Sequence, residues 1–400
     1  MQDIQLQQST QYSLSWILFL SLLMALGPLS VDMYLPALNH MAKDFSVSVQ
    51  VVSNTLPAYF LGLAVGQLIY GPISDAVGRK KPLYFGLALY ILASILCAYS
   101  QNIYQLIFLR VIQALGGCVG VVIVRAVVRD KLTLQASAQA FTTLMMILAI
   151  APVIAPSIGA LILEYYEWHI IFLLMALIGI ACLLGVYFFF QESLSKSERT
   201  KFQIKYSFKS YIDLLKDRTF YLPMSIGGLC GGVMFTFLNS ASALMIGEFN
   251  LSEKVFSLIF GLNGIGIILF SLLSKFLIKT RSIKFILFWG LLIQLFGILL
   301  LGIGYFFISK NLIFISIFLI VSTMGLIGPS SLALAMKNQN KRAGAASALM
   351  GSMHFSCGLI SGVLLNFIFF NIVLNMFFVM SIFALIALFL YLYSLNKMYF

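Results

Sequence analysis

An all-α integral membrane protein is what this sequence predicts, and three observations carry the prediction. First, 61% of the 400 residues are hydrophobic and only 10% are charged. Average soluble domains sit near roughly 45–50% apolar even with glycine counted. Second, the apolar residues lie in long continuous runs, and about 20 such residues cross the hydrocarbon as a helix. A β-barrel would show short alternating segments instead. Third, the basic residues collect on one side of those runs.

The runs predict twelve transmembrane helices, at 14–36, 51–72, 82–100, 104–126, 136–162, 168–190, 219–246, 255–278, 284–305, 311–336, 342–369 and 371–394. The first is too long for a signal-peptide core and lacks a basic leader, so it is expected to be retained. With both termini cytoplasmic, the inner loops and the span ends beside them hold Arg79, Lys80 and Lys81, then Arg125, Arg129 and Lys131. They also hold the lysines and arginines of 196–218 and 275–284, together with Lys337, Lys341 and Arg342. Only Lys43, Lys254 and Lys310 fall on the other side, while Arg110 lies inside a span. This is the positive-inside pattern. The +12 net charge is therefore a topology signal, and no nucleic-acid partner is expected.

The one sizeable polar stretch, 191–218, divides the chain into 1–190 and 219–400, with six spans on each side. Within it, 207-SFKSYIDLLKD-217 puts Phe208, Tyr211, Ile212 and Leu215 on one helical face. That predicts an amphipathic helix lying on the inner leaflet. The five cysteines all sit in apolar spans with no C-x-x-C pair, which suggests packing and neither disulfides nor a metal site. No P-loop and no H-E-x-x-H occur, so nucleotide-driven pumping and metalloprotease chemistry are not expected.

The loop after the second span reads 66-GQLIYGPISDAVGRKKP-82. Gly71 and Gly78 permit a tight backbone path, and Asp75 precedes Arg79 by one helical turn. The stretch resembles the G-x-L-[SA]-D-x-x-G-R-[RK] signature of the major facilitator superfamily. The resemblance implies an inner gate in which Asp75 and Arg79 form a charge relay stabilising the outward-open state. Ala76 stands where many relatives carry arginine, which implies a thinner network.

Span four, 109-LRVIQALGGCVGVVIVRAVVRD-130, embeds Arg110. A charge there costs at least ~2.5–3.5 kcal/mol on the translocon scale and marks a pathway or a pair. The R-x-x-Q-A-x-G…R-A-x-x-R-D arrangement is similar to the Bcr/CflA branch of drug:proton antiporters. So are 32-DMYLPAL-38, 152-PVIAPSIGA-160 and 343-AGAASALMGSMHFSCG-358. The likeness implies two six-helix bundles, and the Pro152, Pro156, Gly159 pattern resembles the antiporter motif.

Asp32 lies about four residues, or ~6 Å, from the outer end of span one, and Arg110 about six residues, or ~9 Å, from that of span four. Both then occupy one layer above the midplane, close enough for pairing in this fold. Such a pair is either a static clamp or a protonation switch at Asp32, since arginine stays charged. His354 is a second titratable candidate or a packing residue. Tyr34, Gln113, Phe235 and Asn239 are candidates for the substrate cavity. Span seven, 235-FTFLNSASALM-245, lacks the serine-proline-phenylalanine associated with the branch, so no relative's substrate carries over.

The expectation is a monomeric efflux transporter of the bacterial inner membrane. It would need no cofactor or metal and would exchange small amphipathic or cationic compounds for protons by alternating access. Export of an endogenous metabolite or siderophore by the same machinery is the alternative. A proton-coupled importer, a non-transporting membrane sensor and an enzyme rank below these.

Overall fold

The computed structural model describes residues 13–148, 150–197, 199, 204–339, 342–368 and 370–396. Among these there is no strand. Eleven helices are long and apolar enough to cross a membrane by length and composition.

Helix α1 (Leu14–Asp32) starts where the Ser13 hydroxyl accepts from the Trp16 amide, and it contains Pro28. It stops at Asp32, short of the predicted 36. Pro36 has no N–H to offer the carbonyl four residues back, and the chain instead makes a 3₁₀ turn, Leu35–Ala37, before α2 (Leu38–Asp44). Next come α3 (Val49–Ser53), α4 (Thr55–Val77), α5 (Lys80–Ala98) and α6 (Ile103–Lys131).

The predicted fifth span is divided between α7 (Leu134–Leu148) and α8 (Ala151–Tyr165), each 15 residues long. Pro152 has no N–H to offer the carbonyl of Leu148, where α7 ends, and it sits in the first turn of α8, which runs on through Pro156. Helix α9 (His169–Phe189) follows.

Helix α10 (Ile204–Lys216) falls in the polar stretch. Among its described side chains Tyr211 and Leu214 are buried, packed with Phe220, Met224, Ala346 and Leu349, while Ile212 and Leu215 are exposed. The predicted face is therefore divided: Tyr211 joins the body of the protein, and Ile212 and Leu215 face outward. The Phe208 side chain lies outside the described residues.

The rest comprises α11 (Arg218–Ser242), which continues as a π-helical turn at Ala243–Glu248, then α12 (Glu253–Leu277) and α13 (Ile283–Phe306). The last four helices are α14 (Lys310–Ser322), α15 (Met324–Met336), α16 (Ala343–Phe367) and α17 (Ile372–Asn396). The predicted tenth span divides at Thr323, whose hydroxyl donates to the Ile320 carbonyl at 2.6 Å. Local bonding of this kind competes with the helical ladder.

Helix α6 packs on α1, α4 and α5, and α11 packs on α15, α16 and α17. The two sets meet where α4 lies along α16 and α8 along α12. Side chains such as Phe85, Leu177, Leu258, Leu299 and Phe389 stand exposed around the outside, as a hydrocarbon solvent favours and water does not.

Candidate functional site

Two polar centres lie at opposite ends of the first helices. The first forms where α4 hands over to α5. Gly78 adopts φ +95°, and a Cβ there would come within 2.6 Å of the Glu192 carboxylate and 2.7 Å of the Arg199 guanidinium. Only glycine fits, both for its φ and for the lack of space. Gly71 does nothing comparable: it lies inside α4 with open space where a Cβ would be. The expected tight path is therefore made at Gly78 alone.

The turn delivers Arg79 into the body, where it is 2% exposed. Its Nη1 donates to Asp75 Oδ1 at 2.5 Å and to Ser74 Oγ at 2.8 Å, and its Nε donates to Asp130 Oδ2 at 2.9 Å. Ser74 thus fills part of the network that Ala76 leaves thin. The Asp130 side chain is 13% exposed and that of Asp75 46%, so the deeper counter-ion comes from the end of α6.

Glu192 completes the cluster. Its carboxylate accepts the backbone N–H groups of Arg79 at 2.8 Å and Lys80 at 3.1 Å. Those donors open α5, where the helix dipole favours an anion. Burial opposes the charge on Glu192, but the Arg79, Lys80 and Leu194 amides and the Arg199 charge outweigh it and hold the carboxyl below its ordinary value. Sequence reasoning missed Glu192 and quoted Asp130 without a role. The acidic residue just after span six was the available signal, but its partner lies more than a hundred positions earlier.

The second centre is Arg110, which is fully buried. Its Nη2 donates to the Ser30 carbonyl at 2.9 Å and its Nη1 to Gln113 Oε1 at 2.6 Å. Its guanidinium carbon lies 4.2 Å from the Tyr34 ring centre and 4.1 Å from that of Tyr59, with Phe172 at 5.7 Å. The Ser30 carbonyl belongs to the last turn of α1, the negative end of its dipole. Helix end, amide and π faces together hold the cation without a carboxylate. Among the described residues Arg110 and Asp32 form no ion pair, although Ser30 brings them within two residues of contact. The Asp32 side chain, in a residue 5% exposed, has neither a hydrogen bond nor an ion pair among the described residues.

Two of the cavity candidates take part in this arrangement. Tyr34 and Gln113 are wholly buried because they build the Arg110 cage. Tyr34 bonds Thr55 Oγ1 at 2.9 Å, and Gln113 Nε2 donates to Ser94 Oγ at 2.7 Å. Tyr59 and Phe172 were not foreseen, since a single aromatic in an aromatic-rich span carries no distinguishing signal.

Gly159 of α8 meets the segment just past Asp32. A Cβ there would collide with the Met33 carbonyl, with Pro36 Cγ also near at 3.5 Å. Pro156 offers its carbonyl across to Ser257 Oγ of α12 at 2.9 Å, and Val153 packs on Gly261 and Gly264 of the same helix. Pro152 starts α8 and leaves the ladder open at its head.

The remaining candidates lie between α4, α11 and α16. Phe235 sits 4.4 Å from Phe60 and 4.8 Å from His354, ring centre to ring centre. His354 presses on Gly231, which lacks a side chain to oppose it. Asn239 Nδ2 donates to Ser361 Oγ at 3.0 Å. Arg125 Nη1 reaches Ser347 Oγ of α16 at 3.0 Å.

The Major Facilitator Superfamily profile matches residues 20–363. An uncharacterized MFS-type transporter, YdgK, of Bacillus subtilis (strain 168) is 37% identical over 85% of this chain and 86% of its own length. The bicyclomycin resistance protein homolog of Haemophilus influenzae is 28% identical over 87% and 88%. Multidrug resistance protein D of Escherichia coli (strain K12) is 30% identical over 62% of each chain. In fold, the xylose transporter XylE of E. coli superposes with a TM-score of 0.72 at 12% identity, covering 96% of this chain and 98% of that one.

Proposed function

The chain belongs to the Major Facilitator Superfamily, and from that premise we propose that it is a proton-driven exporter of small amphipathic or cationic compounds in the bacterial inner membrane. Residues 1–190 and 219–400 act as two six-span bundles, joined by the cytoplasmic segment 191–218. The bundles rock about a central cavity to give alternating access. The names of the resistance-protein relatives support export as the direction.

The observation that carries the proton role is the condition of Asp32. It is a buried carboxylate at the end of α1, two residues from the Ser30 carbonyl that accepts from Arg110, whose Nη groups donate to Ser30 and Gln113 and whose Nε has no hydrogen-bond partner among the described residues. Arg110 does not hold the Asp32 charge in place by direct pairing, which favours a switch over a static clamp. Protonation on one side and release on the other then change how the segment 32–37 packs against Gly159. Substrate and proton need only disfavour each other, and that coupling is reciprocal.

The test is exchange in proteoliposomes under an imposed pH gradient. Asp32→Asn should bind substrate yet lose proton-coupled exchange. Retention of the wild-type proton-to-substrate ratio by this variant would remove Asp32 from the mechanism.

A further inference from the structure

No aspartate or glutamate follows Glu253 in the sequence, yet Lys275, Lys279, Arg281 and Lys284 crowd around the turn that joins α12 to α13. Positive-inside topology sets which side of the membrane such cations take. It does not supply the anions that would offset them. Other acids are engaged elsewhere. Asp75 and Asp130 hold Arg79, and Glu192 caps α5. Asp213 lies 3.9 Å from Arg342, and Asp217 accepts from Gln339 Nε2 at 2.8 Å. Among the described residues the side chains of Lys275, Lys279 and Arg281 have neither a hydrogen bond nor an ion pair.

The turn stands at the foot of two exposed apolar stripes. Along α12, Leu262, Ile265, Leu269, Leu272 and Phe276 are exposed at the spacing of one helical face, and Lys279 follows in the same register. Along α13, Phe285, Trp289 and Phe296 are exposed on one face. The Arg281 guanidinium carbon lies 5.2 Å from the Phe285 ring centre, and the Phe285 and Trp289 rings are 6.1 Å apart, centre to centre. Tyr391 Oη of α17 donates to the Lys284 carbonyl at 3.0 Å and pins the turn from behind. Unpaired cations beside aromatic rings, where apolar stripes end, match a phospholipid. Its phosphate meets the cations, its acyl chains follow the stripes, and tryptophan sits at the headgroup level. A free phosphate would leave the apolar half of this surface unused.

We propose that the turn between α12 and α13 is a binding site for an anionic phospholipid, its phosphate held among Lys275, Lys279 and Arg281 and its acyl chains beside Phe276, Phe285 and Trp289. A zwitterionic lipid offers the same chains, but its ammonium offsets its phosphate, so it gains little from three unpaired cations. Placing the lipid in the inner leaflet rests on the orientation proposed above. Binding itself does not, and it is independent of the direction of transport.

Trp289 supplies the readout. The purified chain is placed in phosphatidylcholine bilayers containing bromine-labelled phosphatidylglycerol or bromine-labelled phosphatidylcholine at equal mole fraction. Bromine quenches tryptophan fluorescence only at close range, so the two quenching curves give the relative binding of the two headgroups. Phosphatidylglycerol should be favoured about fivefold or more, the factor one basic residue near an anionic surface supplies. The preference should vanish in the triple variant Lys275→Gln, Lys279→Gln, Arg281→Gln, and in Trp289→Phe, which removes the nearby ring. It should persist in Lys279→Arg, which keeps the charge, and in Lys337→Gln, a cation at the end of α15. Equal quenching by the two lipids overturns the proposal. So does a preference that survives the triple variant or Trp289→Phe, since the lipid would then lie elsewhere. An equal loss in Lys337→Gln would reduce the effect to net charge and also overturn it. Abolition by inorganic phosphate at constant ionic strength would assign the cations to free phosphate and remove the lipid.

Discussion

Glu192 and Arg79 are joined by a side-chain-to-backbone bond of 2.8 Å, the carboxylate of one accepting the amide N–H of the other. The contact ties the end of the sixth span to the head of α5 and holds the buried Arg79 side chain between Asp75 and Asp130. An anion supplied from a distant part of the chain thus caps the helix that starts the signature's basic run.

Loss of that cap has a pH signature. Glu192→Gln should lower stability by about 1 kcal/mol near neutral pH, the size of a lost helix cap. The Glu192 carboxyl is depressed in the folded state, so its stabilisation is complete above the ordinary glutamate value of 4.5 and disappears as pH falls through the lower folded value. Thermal unfolding in detergent should therefore separate the two proteins at pH 7 and bring them together in acid. A gap that widens on acidification would contradict the assignment.

The two carboxylates on Arg79 should not be equal. Asp75 is nearly half exposed and Asp130 is not. Asp75→Ala is expected to cost under about 1 kcal/mol, as solvent-screened pairs do. Asp130→Ala leaves a buried guanidinium short of its deeper partner, a change on the order of 3 kcal/mol. Side-by-side melting curves decide the ranking, and equal losses would show that burial does not set it.

Gln113 accepts from the buried Arg110 at 2.6 Å, and its loss tests whether it serves the guanidinium or the substrate. Gln113→Leu leaves Nη1 of a buried guanidinium without its amide acceptor, expected to cost roughly 1–3 kcal/mol. Transport should fall together with stability, with little change in the apparent substrate affinity of the surviving folded protein. A selective loss of affinity at unchanged stability would return Gln113 to the cavity wall.

Two glycines of the recognised motifs should respond in opposite directions. Gly159→Ala drives a Cβ into the Met33 carbonyl, an overpacking penalty of about 1–3 kcal/mol, and shifts the chain beside Asp32. Gly71→Ala meets open space inside a helix and should gain up to about 1 kcal/mol from helix propensity. Thermal shifts of the two single variants test both signs, and exchange assays should show loss only for Gly159→Ala.

If the bundles rock, the contact in which Asn366 Nδ2 donates to Asn54 Oδ1 at 2.5 Å must open and close. The Asn54→Cys, Asn366→Cys pair joined by a short bifunctional thiol reagent should stop exchange, and reduction should restore it. Exchange at an undiminished rate while cross-linked would mean that this end does not move during transport.

Composition, run length and the placement of Arg79–Lys81 were enough to state an all-helical membrane protein, and five short motifs were enough to suggest its family. These properties are local: hydrocarbon demands continuous apolar helices, and spaced glycines with an aspartate and an arginine mark the turn at 71–79 from the sequence alone. Partner choice is different. That Arg110 would settle on the Ser30 carbonyl and the Tyr34 and Tyr59 rings, leaving Asp32 unpaired, depends on where α1 stops and how α4, α6 and α9 converge. Glu192 capping α5, and Gly159 seating on Met33, likewise bring together residues more than a hundred positions apart. Side-chain reach is a few ångströms while sequence separation has no fixed length in space, so only the packed helices decide which charge meets which partner.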